Sequence, residues 1–423
     1  MPRRLSTRSA LCVIGWVLVL SLLSIPLPAK KKKKPDPEEG MTLEVSTKQK
    51  KKKGDEDLTQ TLPLAKEAPS AVAGSTDRLI FQTSPMSAKG LLSQQTRDAL
   101  RSLIHTTHNL PVIKLRAFVS GSGDMRRVQE IMGEIFAEKH LALPALSVVQ
   151  VGALPMEGAQ VIVEAIAEDK KQLNPKGLAF ISGQPAASVE QSLVRVESAL
   201  RAAGMEPSDT LRVTCFLSSI EESHTARTAM GAVFPGAALN FVQMQREPVS
   251  PAAECEAVAR LRSPANSAVS FVNPPGLSLA GADPSPNYSQ LVLVTTPRLV
   301  FTSTQLGFGK QESDVKLAFE RLRRALASLN ARFDNVAMSN VYLTSGTMGD
   351  RVRAVRSAFY NSSKPPASTL LPFEGLPSLD ASFGVDVVAV PDVTVSAVTQ
   401  SISPPIPYYT AESRLCPLRK GVF

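Results

Sequence analysis

Leu178-Ala-Phe-Ile-Ser-Gly-Gln184, followed by Ser188-Val-Glu-Gln191, decides how this chain is read. The first run is apolar, short and closed by a turn signal, which reads as a buried strand. Ser188 then caps a helix, with Gln191 three residues on completing a capping box. Val189, Leu193, Val196 and Leu200 fall on one face of that helix, and Gly204 ends it. Leu211, Val213, Cys215 and Leu217 alternate with Arg212, Thr214 and Phe216, which is the period of a strand. A second helix is expected over Glu221 to Val233, and Glu254-Cys-Glu-Ala-Val-Ala259 reads as a closing strand.

The same order recurs on both sides. Downstream it runs through Arg298 to Ser303, the stripe Val315, Phe319, Leu322, Leu326 and Leu329, then Asn335 to Leu343, the stripe Val352, Val355 and Phe359, and Phe383 to Val390. Upstream the slots hold Leu79 to Thr83, Leu92 to Ile104, Val112 to Val119, Met125 to Phe136 and Gln160 to Ala167. The central strands end alike, as Phe118-Val-Ser120, Phe216-Leu-Ser218 and Tyr342-Leu-Thr344. Three copies of one α+β unit are therefore expected. Each would carry helices on one sheet face and need cover for the other. Three units can bury those second faces against one another. The expected architecture is a one-chain pseudo-trimer, sheets inside and helices outside, with ligand sites in the clefts between units.

The expected boundaries are 77–170, 176–262 and 263–392, the last with an N-terminal extension. Ahead of them, Arg3, Arg4 and Arg8 precede an apolar run from Ala10 to Leu27, so residues 1–29 read as a signal peptide or uncleaved membrane anchor. The protein is then expected outside the cytoplasm, periplasmic or secreted, or held at a membrane by that segment alone. Residues 30–76 form a Lys/Pro/Glu-rich linker and 393–423 a tail.

The formal net charge is +9, but residues 1–66 hold 14 Lys/Arg against 7 Asp/Glu, leaving +2 for the rest. A nucleic-acid-binding fold carries its basic surface on the folded part, so no nucleic-acid partner is expected. Four cysteines are too few for a disulfide scaffold. Cys215 and Cys255 fall on two strands of one unit, either as buried thiols or as a bridge. His105 and His108 lack the partners that would complete a metal site, and neither a metal nor a cofactor is expected.

Several motifs resemble the Rid family, the reactive intermediate deaminases also called YjgF or L-PSP. They are Asn287-Tyr-Ser-Gln-Leu-Val-Leu-Val294, Leu299-Val-Phe-Thr-Ser-Thr-Gln-Leu-Gly307, Phe180-Ile-Ser-Gly-Gln184, Leu143-Pro-Ala-Leu-Ser-Val-Val-Gln-Val-Gly-Ala-Leu-Pro155 and Val163-Glu-Ala-Ile-Ala167. The resemblance implies a chorismate-mutase-like fold, normally a homotrimer, with clefts between subunits. It also implies hydrolysis of imines or enamines without a cofactor. In such proteins an Arg after Pro-Ala holds the substrate carboxylate; here that slot reads Leu146, Ala237 and Ser368, none of them basic. The closing-strand acid implied to activate water reads Glu164, Glu256 and Asp386. Tyr288 with Ser303 is expected to form one cleft wall, and Ser182 lines another.

Loss of the Arg favours a monomeric protein that binds a small metabolite between its units rather than a standard imine deaminase. The alternatives are a deaminase in which another cation, Arg212 or Arg116, replaces the Arg, and a non-catalytic envelope scaffold.

Overall fold

The computed structural model describes residues 66–245, 252–277, 285 and 287–392. The expectations for residues 1–29, for most of the linker and for the tail from 393 lie outside them. No helix among the described residues is long and apolar enough to cross a membrane.

A strand β1 (Ala71–Ser75) lies within the expected linker 30–76, correcting that boundary, and the first unit then runs β2 (Leu79–Thr83), α1 (Leu92–Thr106), β3 (Val112–Ser120), α2 (Arg126–Glu138), β4 (Ala145–Val151) and β5 (Val161–Glu168). The second runs β6 (Leu178–Ala186), α3 (Val189–Ala202), β7 (Thr210–Leu217), α4 (Ser223–Val233), β8 (Ala238–Gln243) and β9 (Ala253–Arg260). A connector supplies β10 (Val269–Val272) and β11 (Leu291–Val294). The third unit runs β12 (Arg298–Thr302), β13 (Gln305–Phe308), α5 (Glu312–Ala327), β14 (Ala331–Leu343), α6 (Gly346–Arg356), β15 (Ala367–Pro372) and β16 (Ala381–Pro391). The predicted helices and the central and closing strands are all present. The Ser188 hydroxyl accepts from the Gln191 N–H at 3.3 Å, as a cap should.

Each unit has a strand that the helix periodicity did not reveal. β4, β8 and β15 follow the second helix and pair parallel to β3, β7 and β14. The sheet orders are β2-β5-β3-β4, then β10-β11-β6-β9-β7-β8, then β1-β12-β16-β14-β15 with β13 also on β16. Two strands pair outside the unit they open. β11, which precedes the third unit, lies antiparallel on β6 of the second. β1, which precedes the first unit, lies on β12 of the third. Within its sheet, β2 pairs only with β5.

Each sheet buries its two faces differently. The helix side forms a core private to each unit, for example Leu100, Ile131 and Phe136 in the first, Val196, Leu200 and Met230 in the second, and Phe319, Leu322 and Val352 in the third. The opposite faces feed two apolar clusters shared by all three sheets. One holds Phe81, Phe180 and Phe301, and the other Phe118, Phe216 and Tyr342. Removing such faces from water is worth about 25 cal/mol per Å² of apolar area. A lone unit would leave one of its two faces wet.

Cys215 and Cys255, opposite each other on β7 and β9, form a disulfide with Cα atoms 4.1 Å apart. It lies in the helix-side core of the second unit.

Candidate functional site

A charged layer lies in the shared interior. Register makes its slots equivalent: Arg116 faces Glu164, Thr214 faces Glu256 and Asn340 faces Asp386. Sideways, the same three residues pair with Ser147, Asn240 and Thr369. Each carboxylate accepts a hydrogen bond from the next unit. Glu164 accepts from Thr214 at 2.6 Å and Asn240 at 2.8 Å, Glu256 from Thr369 at 2.6 Å, and Asp386 from Ser147.

Three cations complete the layer. Arg116 lies 2.7 Å from both Glu164 and Glu256, Arg212 lies 3.3 Å from Glu256, and Lys114 lies 3.4 Å from Asp386. Burial alone would raise the Glu164 carboxyl, yet Arg116 and then Arg212 hold it below the usual range. Burial likewise works against Asp386, and Lys114, Ser147 and Arg116 outweigh it downward. Lys114 is pushed down to about 8, by burial first, with Asp386 opposing the fall. Arg116 is held well above its ordinary value by Glu164 and Glu256 in spite of burial. The layer encloses a cavity of about 30 Å³, towards which Arg116 Nη1, Arg212 Nε and Asn340 Oδ1 remain without a protein partner. That is room for one or two waters.

This corrects the expected roles of Glu164, Glu256 and Asp386. They are 2%, 1% and 2% exposed and fully engaged, so they bind the units together rather than line clefts. Arg116 and Arg212, the expected substitute cations, both pair with these buried carboxylates.

The junctions between units hold different groups. Where the second unit meets the third, the Ser182 hydroxyl accepts from the Ser368 N–H at 2.8 Å and donates to the Ser289 carbonyl at 2.6 Å. Ser182 also sits beside Gly183, where a Cβ would come within 1.8 Å of a Glu254 carboxylate oxygen, so only glycine leaves that acid room. Desolvation, followed by the nearby Glu256 charge, pushes Glu254 up to about 8, against a smaller opposing pull from Arg353. Tyr288 immediately precedes Ser289, in the segment that leads into β11. The expected pairing of Tyr288 with Ser303 is overturned, because β11 is held by the second unit.

Beyond Ser368 comes Arg356, in the last turn of α6. Its guanidinium donates to the Ser368 hydroxyl at 3.2 Å and to the Asn287 carbonyl at 2.9 Å, and lies 5.1 Å from the centre of the Tyr360 ring. It is 4% exposed, and no carboxylate pairs with it among the described residues.

The other two junctions lack this set. Ser303 accepts from the Leu146 N–H at 2.8 Å and donates to the Pro69 carbonyl at 2.6 Å, so β1's lead-in fills the place that Tyr288 and Ser289 take elsewhere. The position equivalent to Glu254 is Gly384 there, packed on Thr304. In the first unit it is Ile162. Register also moves one slot: Leu146 and Ser368 correspond to Leu239, two residues beyond the expected Ala237.

Residues 72–169 and 280–391 match the family model described as endoribonuclease L-PSP. This chain belongs to the YjgF/L-PSP family. The second unit lies outside the matched segments of the L-PSP model, although it carries the Ser182, Gly183 and Glu254 group. Similar solved structures include yeast Mmf1, at 22% identity over 22% of this chain and 80% of that one, TM-score 0.21. A YjgF-family protein from Neisseria meningitidis is 19% identical over 26% and 92%, TM-score 0.22. RidA from an Antarctic Psychrobacter is 19% identical over 22% and 79%, TM-score 0.20. No curated protein matches.

Proposed function

We propose that the three units stand in for the three subunits of a Rid trimer, and that the chain works as a monomer with one small-metabolite site. That site is the junction of the second and third units. The observation that carries this reading is the meeting of Ser182, Gly183 and Glu254 with the segment around Ser289, brought together there by strand exchange. The set suits a small polar ligand, because it holds an acid that burial keeps protonated at neutral pH and that can donate or accept. The three shared layers support the pseudo-trimer, since each sheet depends on the other two for cover.

Isothermal titration with small polar metabolites tests the site. The expected stoichiometry is one ligand per chain, abolished by Gly183→Val, whose side chain would occupy the Glu254 position. A stoichiometry of three, or binding that survives Gly183→Val, removes the reading. Light scattering that shows a stable trimer of chains would remove the monomer.

A second reading, imine or enamine hydrolysis, is favoured by Glu254 alone. A carboxylic acid held neutral near pH 7 can protonate the imine nitrogen as water adds to its carbon, take back a proton from that water, and let the carbinolamine so formed collapse to a carbonyl compound and ammonia. Ammonia release from freshly generated imino acids that is equal with wild type and Glu254→Gln would end it.

A further inference from the structure

The first strand of one unit lacks a neighbour that its two counterparts have. We propose that the outer edge of β2, at the junction of the first and second units, takes an extended segment of a partner protein by strand addition. This place is separate from the metabolite site proposed above and stands without it.

Register makes Leu79 to Thr83 of β2 equivalent to Leu178 to Ser182 of β6 and Leu299 to Ser303 of β12, since Phe81, Phe180 and Phe301 face Ile166, Val258 and Val388. β6 carries β11 and β12 carries β1, both antiparallel, but β2 pairs only with β5. The bonds from the Ser84 N–H to the Val163 carbonyl and from the Asp169 N–H to the Arg78 carbonyl fix the phase. Ile80 and Gln82 therefore turn their backbone groups towards β5, and Phe81 and Thr83 turn theirs away from it. Ser182 and Ser303 use their outward N–H groups on the carbonyls of Gln290 and Ser70, at 3.0 and 2.9 Å. Their hydroxyls donate to the Ser289 and Pro69 carbonyls. Thr83 makes neither bond among the described residues, and its Oγ1 is buried without a partner.

The surroundings are uncovered to match. Gln82 and Thr83 are half-buried, whereas Ile181, Ser182, Thr302 and Ser303 are buried. Across the junction Leu211 and Ala238 are half-buried, although the residues in their slots, Ile113 with Ala145 and Ala337 with Ala367, are buried. β1 supplies that cover at Ile113, whose Cγ1 lies 3.1 Å from where a Cβ on Gly74 would sit. The β2 edge carries no proline, charge or bulge of the kind that keeps exposed strands from pairing.

The chain's own leaders are used elsewhere. β1 and β11 each precede a unit, but only residues 169–177 precede the second. They turn over the start of β2, where Asn174 Nδ2 donates to the Leu79 carbonyl at 2.8 Å. The two seated strands define the occupant. It runs antiparallel to β2 and sets a Val-sized residue beside Phe81, as Val72 and Val292 sit beside Phe301 and Phe180. Small or apolar residues flank it, as Ala71 and Ala73 or Leu291 and Leu293 do there.

The probe is a synthetic peptide with the sequence of residues 68–75, titrated against the full chain and followed by amide exchange in NMR spectra. One peptide should bind per chain, and the Phe81 and Thr83 amides should slow at least about tenfold while those of Ile80 and Gln82 keep their rates. Thr83→Pro removes the outward N–H without touching the ladder to β5, and should weaken peptide binding at least about tenfold. A peptide carrying Val72→Asp should lose binding by a similar factor, because its charge would enter the apolar face. Absence of binding, or binding that either substitution leaves unchanged, overturns the proposal. So does slow exchange of the Phe81 and Thr83 amides before peptide is added: fading on dilution would give the edge to a second copy of this chain, and persistence to another segment of the same chain. Should Thr83→Pro fail to fold, the wild-type exchange pattern decides alone.

Discussion

The charged centre and the junction of the second and third units bury the same kinds of side chain to opposite ends. In the centre, Lys114, Arg116 and Arg212 meet Glu164, Glu256 and Asp386, and every charge has a partner. At the junction, Arg356 has neutral partners, and Glu254 has no side-chain hydrogen bond or ion pair among the described residues. Compensated charge holds units together. A group left uncompensated, held in place by the surrounding fold, is what a ligand can use.

The centre should be the more sensitive of the two to loss of a partner. Arg116→Met leaves Glu164 and Glu256 buried with less counter-charge, and about 3–5 kcal/mol of stability should be lost by urea unfolding. A loss under about 1 kcal/mol would break the comparison. Reducing the Cys215–Cys255 bridge, or Cys215→Ser, should cost about 2–4 kcal/mol by thermal or denaturant unfolding, because it releases a 40-residue loop in the unfolded chain.

A pH dependence completes the set. The Glu254 carboxyl is raised from 4.5 to about 8 in the folded protein. Between those values the folded state holds a proton that the unfolded state has released, so its contribution is complete below about 4.5 and lost as pH climbs through 8. Glu254→Gln should therefore match wild type near pH 4 and melt progressively higher than wild type as pH rises to 8. A constant offset across that range would mean that Glu254 is ionised throughout.

Much of this architecture can be read from the sequence, and its omissions have physical causes. The helices and central strands announce themselves because each has one buried face and hence a period, as in Val189, Leu193, Val196 and Leu200. Strand β4 is Ala145-Leu-Ser-Val-Val-Gln-Val151, buried on both faces, so it lacks the alternation that marks a half-exposed strand. The exchange of β1 and β11 is a long-range pairing with no local signature. At the site, Glu254 and Glu256 are two residues apart on one strand face, and periodicity alone cannot say which of them is nearer the junction. Their depth along β9 decides it. Arg356 did leave a trace, because it follows Val352 by four residues and precedes Phe359 by three. A charged residue in the middle of an apolar stripe was the signal to follow.

The interior charges are also shared out unequally. The first unit brings two cations and one acid, the second one of each, and the third an acid alone. A ring made from three first units would enclose a threefold positive excess, and one made from three third units would gather three carboxylates with nothing to neutralise them. With their present residues, the first and third units each rely on their neighbours to balance the charge they bury.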